Sequence, residues 1–137
     1  EMSASLVGSE MCIRDSYYAG LQKYKMASFH LHQAAENYLR TIPLVYILYG
    51  YKDHALEILM DRCKTHTLQL VSVFPRNTEE ERRLFNLLQD AYVQARYNKD
   101  FVVTKTDIDA LIPRLELMRD ITEKVCCDRI AYYEQQS

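Results

Sequence analysis

Glycine and proline are scarce, with three of each in 137 residues. An all-β sandwich or barrel places turn residues every ~10 positions, so these counts argue against one. No apolar run approaches the roughly 18 residues of a membrane-spanning helix. Tryptophan is absent, whereas tyrosine occurs eleven times. Four cysteines without framework spacing do not make a secreted disulfide scaffold. Neither sign of charge dominates: 17 basic against 19 acidic residues give a formal charge of −2. No overall field therefore pulls the protein onto nucleic acid. There is no P-loop and no Gly-x-Gly-x-x-Gly. What remains is 48% hydrophobic and 26% charged, the mix of one globular domain.

Residues 1–16 (EMSASLVGSEMCIRDS) differ from the rest. Four serines and no helical apolar repeat set them apart, and Leu6-Val7 is too short for the apolar core of roughly 7–15 residues that a signal peptide needs. Ser3–Ser16 resembles translated sequencing-adapter sequence, and a disordered tail is the alternative. Either reading gives a leader over 1–16, a helical bundle over 17–133 and a tail over 134–137. If the leader is non-native, the first helix is truncated and other sequence preceded Tyr17. The leader's three acids and one base account for the whole formal charge, so the remainder is neutral. Cys63, Cys126 and Cys127 then remain, an odd number that suits the reducing cytoplasm.

From Tyr17 onward the pattern is helical. Tyr17–Tyr24 reads as the end of a first helix. Leu31, Ala35, Tyr38, Ile42 and Val45 repeat at three and four and line a second segment from about Ala27 to Tyr49. Pro43 lies within it, where a missing N–H and a clash with the preceding turn predict a kink or break. Gly50 closes it. Asp53 is a candidate N-cap for a helix carrying Leu56, Leu59, Cys63, Leu70 and Val71, ended by Phe74-Pro75. Asn77-Thr78 before Glu79-Glu80-Glu81 spells a capping box. Leu84, Leu88, Ala91 and Ala95 continue that helix to about Arg96-Tyr97, and Asn98-Lys99-Asp100 forms a turn. Thr104 or Thr106 caps a last helix carrying Ile108, Leu111, Leu115, Met118, Ile121 and Val125, with a bend expected at Pro113. Helices of roughly 20 residues with short loops predict an all-α, up-and-down antiparallel bundle of four to five helices.

Four pieces of sequence resemble the HEPN family ("higher eukaryotes and prokaryotes nucleotide-binding"). Phe29-His30-Leu31-His32-Gln33-Ala34-Ala35-Glu36 matches its F-x-L-H-Q-A-A-E signature. Lys52-Asp53-His54-Ala55-Leu56 is similar to its K-x-H-x-L helix start, and Phe74–Glu81 to the start of its third helix. Asp90-Ala91-Tyr92-Val93-Gln94-Ala95-Arg96-Tyr97 matches the D-A-Y-x-x-A-R-Y ending of that helix. The resemblance covers about residues 17–131. It implies a helical bundle that often dimerises and, in this bacterial subtype, is often fused to a minimal nucleotidyltransferase domain. Other members are metal-independent ribonucleases built on Arg, four to six residues, then His. That pattern has a physical logic, because arginine holds the scissile phosphate and histidine moves the proton near neutral pH. Here Arg96 is followed by no histidine at all; the four are His30, His32, His54 and His66. The resemblance therefore implies binding of a nucleotide or RNA, without the family's nuclease motif.

The candidate ligand-binding set is Arg96, Tyr97, Lys99, His32, Gln33, Glu36, His54 and Tyr92. Arg96 offers a forked donor to phosphate, and the tyrosines offer stacking faces. His32, Gln33 and Glu36 read either as the lining of a groove or as a satisfied structural network. His30 and His32 lie roughly 200° apart on a helix and cannot share a metal. Cys63 and His66 share a helix face but lack a second pair at metal spacing. Asp107-Ile108-Asp109 imitates a D-x-D metal motif yet opens a helix, where acids complement the helix end. Tyr46, Tyr49 and Tyr51 are read as packing, or as an aromatic wall. No catalytic residue, metal or cofactor is assigned.

Overall fold

The structure, a computed structural model, describes residues 9–136, with side chains from residue 20 onward. Four helices form an all-α bundle: α1 Ser9–Ile47, α2 Leu56–Lys64, α3 Glu79–Tyr97 and α4 Lys105–Gln136. The first eight residues of the expected leader lie outside the described residues. Ser9–Ser16 belong to α1, and α4 carries on past residue 133 to Gln136.

The two expected N-terminal helices are one. Tyr24, Lys25 and Met26, read as a boundary, contain nothing that stops a helix, and α1 runs 39 residues, about 58 Å. Its buried stripe is Ser28, His32, Ala35, Glu36, Leu39 and Ile42, with Leu31, Tyr38 and Val45 at the edge of the core. Four polar side chains of α1, Lys25 together with Ser28, His32 and Glu36, thus pack inward. Pro43 does not end the helix, which continues to Ile47. A proline at 43 supplies no N–H for the Leu39 carbonyl. Cys63 Sγ on α2 donates to that carbonyl instead, at 3.1 Å. Burial pushes the Cys63 thiol up to about 12, so it keeps the proton it donates. Leu48 closes α1 in the left-handed conformation (φ 57°) and its N–H reaches Leu44 O at 3.0 Å. Glycine or asparagine usually fills that position, and Leu48 gains no packing there, being 86% exposed.

α2 differs from the expected helix at both ends. Its N-cap is Ala55, without a side-chain cap, rather than Asp53. It stops at Lys64, well short of Phe74-Pro75. His66 and Thr67 both direct their N–H groups back to Cys63 O, and Thr67 Oγ1 accepts from Gln69 N–H. Such local hydroxyl bonds compete with helix continuation. Residues 65–74 are turns, with Leu70, Val73 and Phe74 buried and Val71 exposed.

The other caps follow the sequence. Thr78 Oγ1 accepts from Glu81 N–H, and Glu81 Oε1 accepts from Thr78 N–H, a complete capping box. Thr104 caps α4 the same way, exchanging bonds with Asp107. Asp107 also pairs with Arg83 at 2.8 Å and Asp109 with Lys105, so both acids of the D-x-D imitation serve the helix start. Helix α4 runs through Pro113 without interruption.

α3 lies antiparallel to α1, with Tyr92 beside Phe29 and His32, and Asn98 O bonded to Lys25 Nζ. α4 runs alongside α1 in the same sense, since Tyr133 donates to Val45 O and Tyr46 O at the far end. The short α2 also follows α1, because the 48–55 segment turns back before it begins. That return places His54 at Glu36 and Cys63 at Leu39. Leu39, Ile42, Leu59, Phe85, Leu88, Leu111 and Met118 fill the centre.

Candidate functional site

Three of the four sequence pieces meet at one place. Phe29, His32 and Glu36 come from α1, His54 from the segment before α2, and Tyr92 and Arg96 from α3. Tyr92 is the hub. His54 stacks on it with ring centroids 4.2 Å apart and planes 14° from parallel. Phe29 stacks at 5.9 Å, and His32 packs tilted at 5.3 Å.

Beneath the hub sits the buried carboxylate of Glu36, with a side chain only 4% exposed. Its Oε2 lies 2.7 Å from Arg40 Nη2 and 3.0 Å from His54 Nδ1. Oε1 lies 2.8 Å from His32 Nδ1 but outside hydrogen-bonding geometry. Arg40 Nη2 also donates to Asp53 O at 2.5 Å, which pins the chain just before His54. The buried acid thus orients both a guanidinium and an imidazole. His54 Nδ1 faces the carboxylate and Arg40 Nη2, so Nε2 is the outer nitrogen. Nε2 lies 3.3 Å from the Tyr92 hydroxyl, and the side chain is half exposed.

His32 has the opposite environment. It is fully buried, and desolvation holds it below the ordinary histidine range even though the Glu36 charge pulls the other way. Its two ring nitrogens, Glu36 Oε1 and Arg40 Nε are buried without hydrogen-bond partners among the described residues. His32 and Glu36 therefore do not line an open groove. They form an inner layer whose outer face is His54 and Tyr92.

Arg96 lies on the exposed side. Its guanidinium packs over Tyr92 (4.4 Å), Tyr97 (5.0 Å) and Phe29 (5.2 Å). Nε donates to Tyr92 O at 2.8 Å, the carbonyl one turn back. Among the described residues neither Nη group has a carboxylate partner. An exposed guanidinium preset on aromatic faces, with two donor edges open, suits a planar or tetrahedral anion. The imidazole and the guanidinium rest against the same tyrosine ring.

The structure separates the remaining candidates. Tyr97 is three-quarters exposed under Arg96. Lys99 is exposed in the turn after α3, beside a shallow groove of about 90 Å³ formed with Leu21, Gln22, Lys25, Phe101 and Val102. Gln33 is exposed. Sequence reasoning missed Phe29 and Arg40. Arg40 had a readable signal, because it follows Glu36 by four residues, the spacing of a helix ion pair. Among the described residues no group of His, Cys, Asp and Glu could hold a metal, and His66 lies beyond α2 rather than on one face with Cys63.

The fold defines an all-α helical module. Residues 14–125 match the HEPN domain family, and the chain belongs to it. A search of curated proteins gives no match. No helix among the described residues is long and apolar enough to cross a membrane.

Proposed function

We propose that this HEPN domain binds the phosphate of a nucleotide or polynucleotide at Arg96. Phe29, Tyr92 and Tyr97 preset the guanidinium and offer faces to a base, and His54 adds a second polar group. Lys99 contributes positive charge at the rim. The domain acts as the dimerising or substrate-presenting partner of a nucleotidyltransferase domain, fused or separate, in the cytoplasm, and its role is binding rather than chemistry. The observation that carries the reading is the exposed Arg96 guanidinium, stacked on three rings and free of any carboxylate among the described residues. Calorimetric titration with ATP and GTP tests it. Heat of binding that disappears in Arg96→Ala supports the reading. No heat at millimolar nucleotide, with wild type and variant alike, rejects it.

One observation favours a second reading, RNA cleavage: a carboxylate-oriented imidazole lies against the same ring as the arginine. Cleavage of single-stranded RNA in EDTA, lost in both Arg96→Ala and His54→Ala, would establish it. Intact RNA after prolonged incubation would leave binding as the function.

A further inference from the structure

We propose a second ligand site, at the opposite end of the helix pair α1–α2, that takes a small flat aromatic anion. Two adjoining hollows of about 590 and 620 Å³ share Tyr51 and Arg62. Each is within the size of ordinary small-molecule sites. Arg96, Tyr92 and His54 do not line either hollow, and the nearest link to their cluster is Asp53, whose carbonyl accepts from Arg40.

The chemistry of the walls selects the ligand. Ile47 and Ile58 supply half-exposed aliphatic surface. Tyr51 lies under the Arg62 guanidinium, 4.7 Å from ring centroid to Cζ, with the edge of Tyr49 at 4.6 Å. His66 is stacked on Tyr46 at 4.9 Å, and Arg129 lies over the same Tyr46 ring at 4.7 Å. The aromatic residues read from sequence as packing thus split into two cation-bearing stacks, one of which lines the hollow and one of which adjoins it.

Charge decides between an anion and a cation. Arg62 makes no ion pair among the described residues, although Asp61 is its chain neighbour. Asp61 pairs instead with Lys64, at 3.2 Å. Arg62 therefore keeps its donors; of the charged residues lining the hollows, Asp61 is offset by Lys64, and Arg62 with Lys52 outweighs Asp53. A guanidinium resting over a tyrosine ring keeps an N–H fork that can meet a carboxylate in two parallel bonds. The aliphatic walls and exposed rings would cover the flat body of such a ligand.

Titration of the isotope-labelled protein with indole-3-carboxylate, followed by amide NMR shifts, tests the proposal, with neutral indole-3-carboxamide as the control. The expected result is a set of shifts at Ile47, Tyr51, Ile58, Arg62 and His66 with the carboxylate. Binding should weaken about 10-fold or more in Arg62→Gln, the cost of losing one charged hydrogen-bonded contact. Arg96→Ala should leave it unchanged, which separates this site from the first. The proposal is overturned if these residues do not shift at millimolar carboxylate, if the carboxamide binds as tightly, or if Arg62→Gln behaves as wild type. Arg62 is exposed, and the same spectra report whether the variant is folded; Tyr51→Leu provides a second variant, expected to weaken binding through loss of the stacked support.

Discussion

Replacing Glu36 with glutamine would show how much the inner layer of the Arg96 cluster contributes to the fold. The substitution keeps the shape of the side chain and removes its charge. In the native chain the carboxylate faces Arg40 at 2.7 Å and His54 at 3.0 Å from nearly complete burial. Breaking a fully buried pair typically costs about 3–5 kcal/mol, because one charge is left uncompensated. Arg40 is a quarter exposed and His54 half exposed, so both can recover some hydration. The cost should fall below that range, to about 2–3 kcal/mol, or a fall in melting temperature of roughly 10 °C for a domain of this size. Urea denaturation followed by circular dichroism measures it, with the slope against urea unchanged. A Glu36→Gln variant as stable as wild type would refute the claim that this carboxylate organises the cluster.

Three further outcomes follow from the fold. Thr78→Ala removes one arm of the capping box and should cost about 1 kcal/mol in urea denaturation; no loss would mean the cap is energetically idle. Leu48→Asn relieves a left-handed leucine at an exposed helix end and should raise stability by about 0.5–1 kcal/mol in the same assay, whereas a loss would show that Leu48 makes contacts its exposure conceals. His32 is held below its unfolded value of 6.5, chiefly by burial. The folded chain then binds fewer protons than the unfolded chain, so its contribution is complete above about pH 6.5 and is lost as the pH falls below it. The slope is at most about 1.4 kcal/mol per pH unit. Denaturation at pH 7.5 and 5.5 should show wild type losing more stability than His32→Gln, and equal losses would contradict the assignment.

Much of this was legible in residues alone. The α3 start needed only Thr78 and Glu81, and the α4 start only Thr104 and its acids, because capping is local chemistry. The family pieces named most of the cluster before any geometry. Other features depended on distant partners. The unbroken passage of α1 through Pro43 rests on a thiol 20 residues away that occupies the freed Leu39 carbonyl. The early stop of α2 comes from the Thr67 hydroxyl and from burial of Leu70, Val73 and Phe74, which periodicity does not distinguish from a longer helix. His32 and Glu36 looked like ligand residues by type, and only burial shows them to be an inner layer. The absence of histidine after Arg96 was read along the chain, whereas the return of residues 48–55 alongside α1 brings His54 to Tyr92 from the other direction.

The central claim is that the Arg96 guanidinium holds an anion. The most direct measurement is fluorescence anisotropy of an end-labelled single-stranded oligoribonucleotide with wild type, Arg96→Lys and Arg96→Ala at two salt concentrations. The account predicts saturable binding that weakens with salt, drops by about 1.5–3 kcal/mol in the alanine variant, and is only partly restored by lysine, which lacks the planar stacked fork. Equal binding by all three proteins, with unchanged circular dichroism, would contradict it.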